Sequence, residues 1–223
     1  MNKRLFFKQY CALCGVDAGA DPFCVGCVQA LPWRLGQYCP QCAHPIRRDQ
    51  PCLKCADVPP ILDALYAACD FEWPLSALIH AFKYGRRVEL ASVIAWIMKK
   101  GLVVSFLPQP DAIVAVPLAK SRLLERGFNQ SRELASDLAR HYRVALWDDA
   151  VQRIRETAPQ ASLNREARLL NLSGAFRANS RVEGQNIVLI DDVATTGATL
   201  STLAESLKQQ GAARVEGWVL ARA

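Results

Sequence analysis

The sequence predicts an α/β protein: a mainly parallel sheet with helices on both faces, preceded by a small cysteine-rich unit. Three observations predict it. Eight of the nine cysteines fall within the first 55 residues, in four CxxC pairs. Beyond Pro59-Pro60, short aliphatic runs alternate with segments whose apolar residues recur at three- and four-residue steps, as strands joined by crossover helices do. Runs such as Ile187-Val188-Leu189-Ile190 are apolar without alternation, which suits strands buried on both faces.

At 223 residues the chain has room for one domain of ordinary size and a small one. The boundary is expected at ADVPPILD, giving units 1–58 and 59–223. The apolar stretch Leu90 to Met98 is too short to cross a bilayer and is closed by Lys99-Lys100. The start, MNKRLFFKQYC, has only a three-residue apolar segment, so a secretory leader is not expected and the predicted location is the cytoplasm. Formal charge is +6, which taken alone would point to an anionic partner. If eight thiolates subtract eight charges and two zinc ions add four, +2 remains, and local clusters matter more than the total.

The pairs Cys11/Cys14 and Cys24/Cys27 are separated by nine residues, as are Cys39/Cys42 and Cys52/Cys55. Each cysteine of the second set lies 28 positions after its counterpart. A CxxC turn points two thiolates at one ion, and two such turns complete a tetrahedral shell. Two structural zinc sites are therefore expected. Sequential ligation is favoured, with Cys11, Cys14, Cys24 and Cys27 in one site and Cys39, Cys42, Cys52 and Cys55 in the other; interleaved pairing stays open. So small a unit has little core of its own, and metal binding would have to hold it together. Cys69 reads as a buried small hydrophobe and His44 as a surface histidine.

From Pro59 onward the elements follow in order. LDALYAACDFEW reads as a strand or hairpin arm, PLSALIHAFKYG and VELASVIAWIMKKG as helices, and DAIVAVPL as a buried strand. A basic loop, AKSRLLERGFNQ, leads to helix SRELASDLARHY and a short strand at Val144 to Trp147. Residues 153–173 are polar and carry no single period, reading as a loop, or a loop plus a short helix. NIVLIDD, VATTGAT, LSTLAESLKQQG and VEGWVLAR then read as strand, loop, helix and strand, with Gly211 as the helix stop.

The chemistry concentrates in VLIDDVATTGATL, where Asp191-Asp192 are expected to leave the strand and open a loop. Residues Ala194 to Thr199 offer successive backbone N–H groups, the hydroxyls of Thr195, Thr196 and Thr199, and the flexible Gly197, just before a helix N-terminus. That combination cradles a phosphate. Beside it, two carboxylates can accept hydrogen bonds from vicinal hydroxyls. Phosphate and diol together describe a ribose 5-phosphate.

This stretch resembles the 5-phosphoribosyl-1-pyrophosphate (PRPP) motif of type I phosphoribosyltransferases. The resemblance implies that fold, with Asp191 and Asp192 as the catalytic acids holding the ribose hydroxyls. It implies the 5-phosphate on the segment Val193, Ala194, Thr195, Thr196, Gly197, Ala198 and Thr199. It further implies pyrophosphate, with Mg²⁺, near Pro117, Leu118, Ala119 and Lys120. More broadly, the cysteine framework followed by LIHAFKYG, VPLAKSRLLERGFNQS, RETAPQASLNREARLLNLSGAF and the PRPP motif resembles the ComF family, whose proteobacterial members are often labelled GntX. That resemblance implies a role in DNA uptake, transformation or the use of external DNA, alongside uptake-machinery proteins.

Two functions are therefore expected to compete. In one, the chain transfers phosphoribosyl groups from PRPP to an unidentified acceptor. In the other, it is a non-catalytic PRPP sensor that holds single-stranded DNA. Arg122, Arg126, Gly127, Phe128, Asn129, Gln130, Arg153 and Arg155 suit either the pyrophosphate or a nucleic-acid backbone. Phe128, Trp33 or Tyr38 would stack on bases. Arg34, Arg47, Arg48 and Lys54 place positive charge in the cysteine-rich unit, which is compatible with nucleic-acid or protein contact.

Overall fold

The computed structural model describes residues 9–47, 50–57, 59–102, 109–155 and 174–223. A five-stranded, wholly parallel sheet is built from β3 (Ala64–Asp70), β9 (Arg214–Arg222), β8 (Asn186–Ala194), β4 (Ala112–Ala115) and β5 (Ala145–Leu146), in that spatial order. Helix α6 (Gln130–Tyr142) connects β4 to β5, and α7 (Ala198–Gln209) connects β8 to β9. The two crossovers leave the β4–β8 junction in opposite directions and cover opposite faces. The strand order therefore reverses between β4 and β8, where a sheet of this kind opens a crevice beyond its carboxyl ends.

The expectation of strands buried on both faces is met in detail. Along β8, Val188 and Ile190 pack with α4 (Leu90–Gly101) and α6, whereas Ile187 and Leu189 pack with Leu203 and Leu207 of α7. The period-two geometry of a strand requires this division. Helix α3 (Leu75–Tyr84) starts just past the carboxyl end of β3 and ends near the crevice. It turns Leu75, Leu78, Ile79 and Phe82 into the same core as α4. A small antiparallel ribbon, β6 (Val151–Arg153) with β7 (Phe176–Ala178), joins the α7 side.

Three readings change. Asp191 and Asp192 do not leave the strand: β8 runs on to Ala194, because β9 continues beside it, with Asp191 opposite Val219 and Val193 opposite Ala221. The basic stretch after Leu118 is largely helical, forming α5 (Lys120–Arg126). Gly127, at φ +83°, ends α5 and allows the tight turn into α6. Arg153 is the last residue of β6 rather than part of an irregular loop; most of that loop, 156–173, lies outside the described residues.

The cysteine-rich segment, with β1 (Gln9–Tyr10), β2 (Asp17–Gly19), α1 (Val25–Ala30) and α2 (Leu53–Asp57), borrows its core from the sheet. Phe23, 2% exposed, stacks against Trp96 of α4 at 5.6 Å. Pro32 to Arg34 line the outer edge of β3: Asp70 N–H donates to the Pro32 carbonyl (2.9 Å), and Trp33 bridges antiparallel to Cys69. Arg34 pairs with Asp70 and also reaches the Ala43 carbonyl.

Gly101 marks how tightly the two parts fit. A Cβ there would lie 2.8 Å from the Ala68 Cβ and 2.9 Å from the Trp33 ring. Glycine to alanine near the end of an exposed helix stabilises, but here overpacking dominates. Gly101→Ala is expected to lower the unfolding free energy by about 1–3 kcal/mol in urea titrations; an increase would contradict this packing.

Candidate functional site

Beyond Ile190 the sheet opens. The Val116 N–H still donates to the Ile190 carbonyl (3.0 Å), and the chain then turns away at Pro117, leaving β8 to continue beside β9 alone. The two aspartates occupy this overhang. Each carboxylate has its own partner, which offsets their mutual repulsion in part. Ser131 Oγ, in the first turn of α6, donates to Asp191 Oδ1 at 2.8 Å. Lys83 Nζ, from the last turn of α3, pairs with Asp192 Oδ1 at 3.0 Å. Burial, and then the Asp192 charge, push the Asp191 carboxyl from 3.8 up to about 7, while Ser131 and Lys83 oppose the shift.

The threonine-rich segment follows directly. Gly197, at φ +75°, makes the left-handed turn that starts α7, and Ala198 N–H donates to Thr196 Oγ1 at 3.3 Å. Thr195 is exposed, and Thr196 and Thr199 are half-buried. From below, Arg222, 5% exposed, donates through Nη1 to the Ala194 carbonyl (2.9 Å) and to that of Thr195.

On the facing side, Pro117 and Leu118 are half-buried, Ala119 is buried and Lys120 is exposed. Asn129 caps α6, accepting from Ser131 N–H (3.1 Å) and donating to the Val116 carbonyl (3.0 Å). It thereby fixes Ser131 beside the crevice. Arg126 is buried rather than presented: it donates to Gln130 Oε1 (3.1 Å) and lies over the Tyr84 ring. Phe128 is half-buried, its ring 5.3 Å from that of Phe82. Arg122 is half-buried on α5, whereas Arg153 lies over Phe176 and Arg155 is exposed at the edge of the described residues. Trp33 packs on α4 and donates to the Val28 carbonyl (2.7 Å), and the Tyr38 ring carries the Arg34 guanidinium. The expected base-stacking rings are therefore engaged internally.

Lys83 and Ser131 were not singled out by sequence reading. Both lie within the family-like stretches LIHAFKYG and VPLAKSRLLERGFNQS, which held the signal. His44 also differs from its reading as a surface residue: it is half-buried, with Nε2 2.6 Å from Arg222 Nη2 and 3.0 Å from Lys54 Nζ.

The cysteines fall into two groups, Cys11, Cys14, Cys24, Cys27 and Cys39, Cys42, Cys52, Cys55, each with all sulfurs within 4.8 Å of one another. This is the sequential arrangement. Contacts such as Cys14–Cys24 at 3.6 Å and Cys42–Cys52 at 3.5 Å approach the roughly 3.8 Å expected between thiolates about 2.3 Å from one tetrahedral zinc ion. Against the effect of burial, backbone N–H groups of Cys14, Cys24 and Leu13 bring the Cys11 thiol down to about 6, while burial and the neighbouring sulfurs push Cys27 up, as in a thiol cluster with no cation among its members. Both groups thus suit structural zinc. Cys69, fully buried, is pushed up to about 12 by burial. None of the described helices is long and apolar enough to cross a membrane.

The family model for the phosphoribosyl transferase domain matches residues 127–223. The DNA utilization protein YhgH of Salmonella typhi is 38% identical over 220 residues, covering 95% of this chain and 96% of the relative. Competence protein F of Haemophilus influenzae is 28% identical over 228 residues, covering 98% and 99%. Competence protein ComFC of Bacillus subtilis is 29% identical over 212 residues, covering 91% and 85%.

Two outcomes are expected. Purified chain should carry two zinc ions, and replacing Cys24, Cys27, Cys52 and Cys55 together by Ser should remove both; retention of one would indicate interleaved ligation. A carboxyl whose pKa is raised from 3.8 to about 7 binds its proton more tightly in the folded state. The stability this contributes is present below about pH 4 and is lost as pH rises towards and through 7. Relative to Asp191→Asn, the wild type should lose on the order of 2 kcal/mol between about pH 5 and about pH 8 in denaturant titrations; parallel profiles would refute the shift.

Proposed function

We propose, from the premise that this chain belongs to the family of DNA utilization protein YhgH and competence protein F, that it binds PRPP with Mg²⁺ at the carboxyl end of β8, transfers the phosphoribosyl group, and serves the use of external DNA. One observation carries the reading: a buried strand carries two adjacent carboxylates past the end of its β4 neighbour and passes at once into a hydroxyl-bearing loop and a helix N-terminus.

The division of labour follows from position. The N–H groups and hydroxyls from Thr195 to Thr199 receive the 5-phosphate. The ribose hydroxyls donate to Asp191 and Asp192, replacing Ser131 and Lys83 as the partners of those carboxylates. Lys83, released from Asp192 at 3.0 Å, is then a mobile cation at the crevice, placed to balance charge on the departing pyrophosphate, as is exposed Lys120. The carboxylates meanwhile stabilise positive charge developing at the anomeric carbon. Mg²⁺, a hard cation that binds through one or two carboxylates plus substrate phosphates, suits this oxygen-donor set and would supply further charge neutralisation.

The rival reading keeps the PRPP site as a sensor and uses the basic residues to hold single-stranded DNA. Burial of Arg126 and the packing of Phe128 against Phe82 weaken it, so transfer is preferred. Placement in the cytoplasm and contact with uptake-machinery proteins belong to the same proposal. So does the division of the chain near residue 58, although the cysteine-rich segment is tightly seated on the sheet.

Calorimetry with PRPP and Mg²⁺ should register binding to the wild type. Asp191→Asn with Asp192→Asn should weaken it by roughly 100-fold, as loss of two charge-assisted hydrogen bonds implies, with zinc content unchanged. Lys83→Met should leave PRPP affinity within about tenfold while slowing pyrophosphate release by on the order of 100-fold. No heat from the wild type would end the PRPP reading. Binding without pyrophosphate release across nucleobases, nucleosides and oligonucleotides would favour the sensor.

A further inference from the structure

Arg222 ends β9 deep in the molecule, and its guanidinium divides its donors between two distant parts of the chain. Toward the phosphate loop, Nη1 donates to the carbonyls of Ala194 (2.9 Å) and Thr195. Toward the cysteine-rich segment, Nε donates to the Cys42 carbonyl at 3.2 Å and Nη2 meets His44 Nε2 at 2.6 Å. Cys42 belongs to the second group of four cysteines. A buried guanidinium is costly to desolvate and tolerable only where its fixed fork of donors finds acceptors. Here those acceptors come from both sides at once.

The geometry has a consequence for the loop. In a trans peptide the carbonyl and the following N–H point in opposite directions within one plane. Drawing the Ala194 and Thr195 carbonyls toward Arg222 therefore turns the N–H groups of Thr195 and Thr196 away from it, on the side where an anion would sit. The Ala223 N–H also donates to the Ala194 carbonyl (3.0 Å), holding the same plane.

We propose that Arg222 is a positioning residue that transmits the state of the second cysteine cluster to the phosphate loop. With Cys39, Cys42, Cys52 and Cys55 gathered on their metal, the Cys42 carbonyl and His44 hold the guanidinium from below, and the guanidinium holds the loop N–H groups outward. When that cluster opens, the fork loses its lower anchors, the loop loosens, and affinity for a sugar phosphate falls. The inference about affinity rests on the PRPP reading; the inference about loop order does not.

The test compares Arg222→Gln, Cys52→Ser with Cys55→Ser, their combination, and Cys24→Ser with Cys27→Ser in the first cluster. Zinc content verifies that each cysteine variant loses one of the two sites. Amide hydrogen exchange of Thr195 to Thr199 is read without ligand, and PRPP affinity is read with Mg²⁺. Arg222→Gln and loss of the second cluster should each speed loop exchange by about tenfold, and the combination should be no faster than either alone. PRPP affinity should fall by about tenfold in both. Loss of the first cluster should have an effect on the loop smaller by at least about fivefold. If Arg222→Gln does not fold, Arg222→Lys, which keeps the charge but not the fork, should give the same exchange pattern at reduced size. The inference is overturned if loop exchange keeps its wild-type rate when the second cluster is lost, if the two changes simply add, or if losing either cluster loosens the loop equally. The predicted exchange pattern in a wild type that binds no PRPP would leave the strut standing and remove the sugar-phosphate reading.

Discussion

The candidate site depends on one strand outlasting its neighbour. Beyond Ile190, β8 keeps its ladder to β9 while the chain leaving β4 turns aside at Pro117. A carboxylate at that point sits on a backbone still laddered to β9 on one side, beside the position that the next strand would otherwise fill. Two adjacent carboxylates there would repel each other in a free loop. The strand separates them and gives one to Ser131 and the other to Lys83. The two carboxylates are thus held in place by side chains that reach them from two different helices.

Much of the fold was legible because its signals are periodic. Unalternating runs such as Ile187 to Ile190 marked strands covered on both faces, and the spacing at Leu200, Leu203 and Leu207 marked the helix on one of them. The cysteine spacing pointed to two sequential groups of four. The end of β8 was misplaced for a physical reason: strand length there is set by hydrogen bonding to β9, which local residue preferences do not contain. Of the candidate residues, Asp191, Asp192 and the threonine loop stand together in the sequence and in the structure because their chemistry is contiguous. Lys83 and Ser131 reach the aspartates from other helices, so their pairing is a property of packing. Arg126 and Phe128 were misread in the opposite sense: a basic residue and an aromatic in a polar stretch suggest an exposed surface, but the turn at Gly127 folds them inward against Gln130 and Phe82.

The cysteine-rich segment was expected to depend on metal for want of a core. The structure adds a second support. Phe23 stacks on Trp96, Trp33 fills the space that Gly101 leaves, and Arg34 pairs with Asp70. Metal binding and docking onto the sheet therefore reinforce each other, and a change in either is felt in the other. Arg222 extends this coupling from the sheet edge to the phosphate loop.

The antiparallel seat of Trp33 on Cys69 has one more consequence. Exposed strand edges invite pairing between molecules. In this sheet the outer side of β3 already holds the chain's own backbone, and the opposite margin, β5, spans two residues. Among the described residues, a strand from a neighbouring molecule therefore finds little free backbone on either flank of this sheet, which disfavours edge-to-edge pairing there.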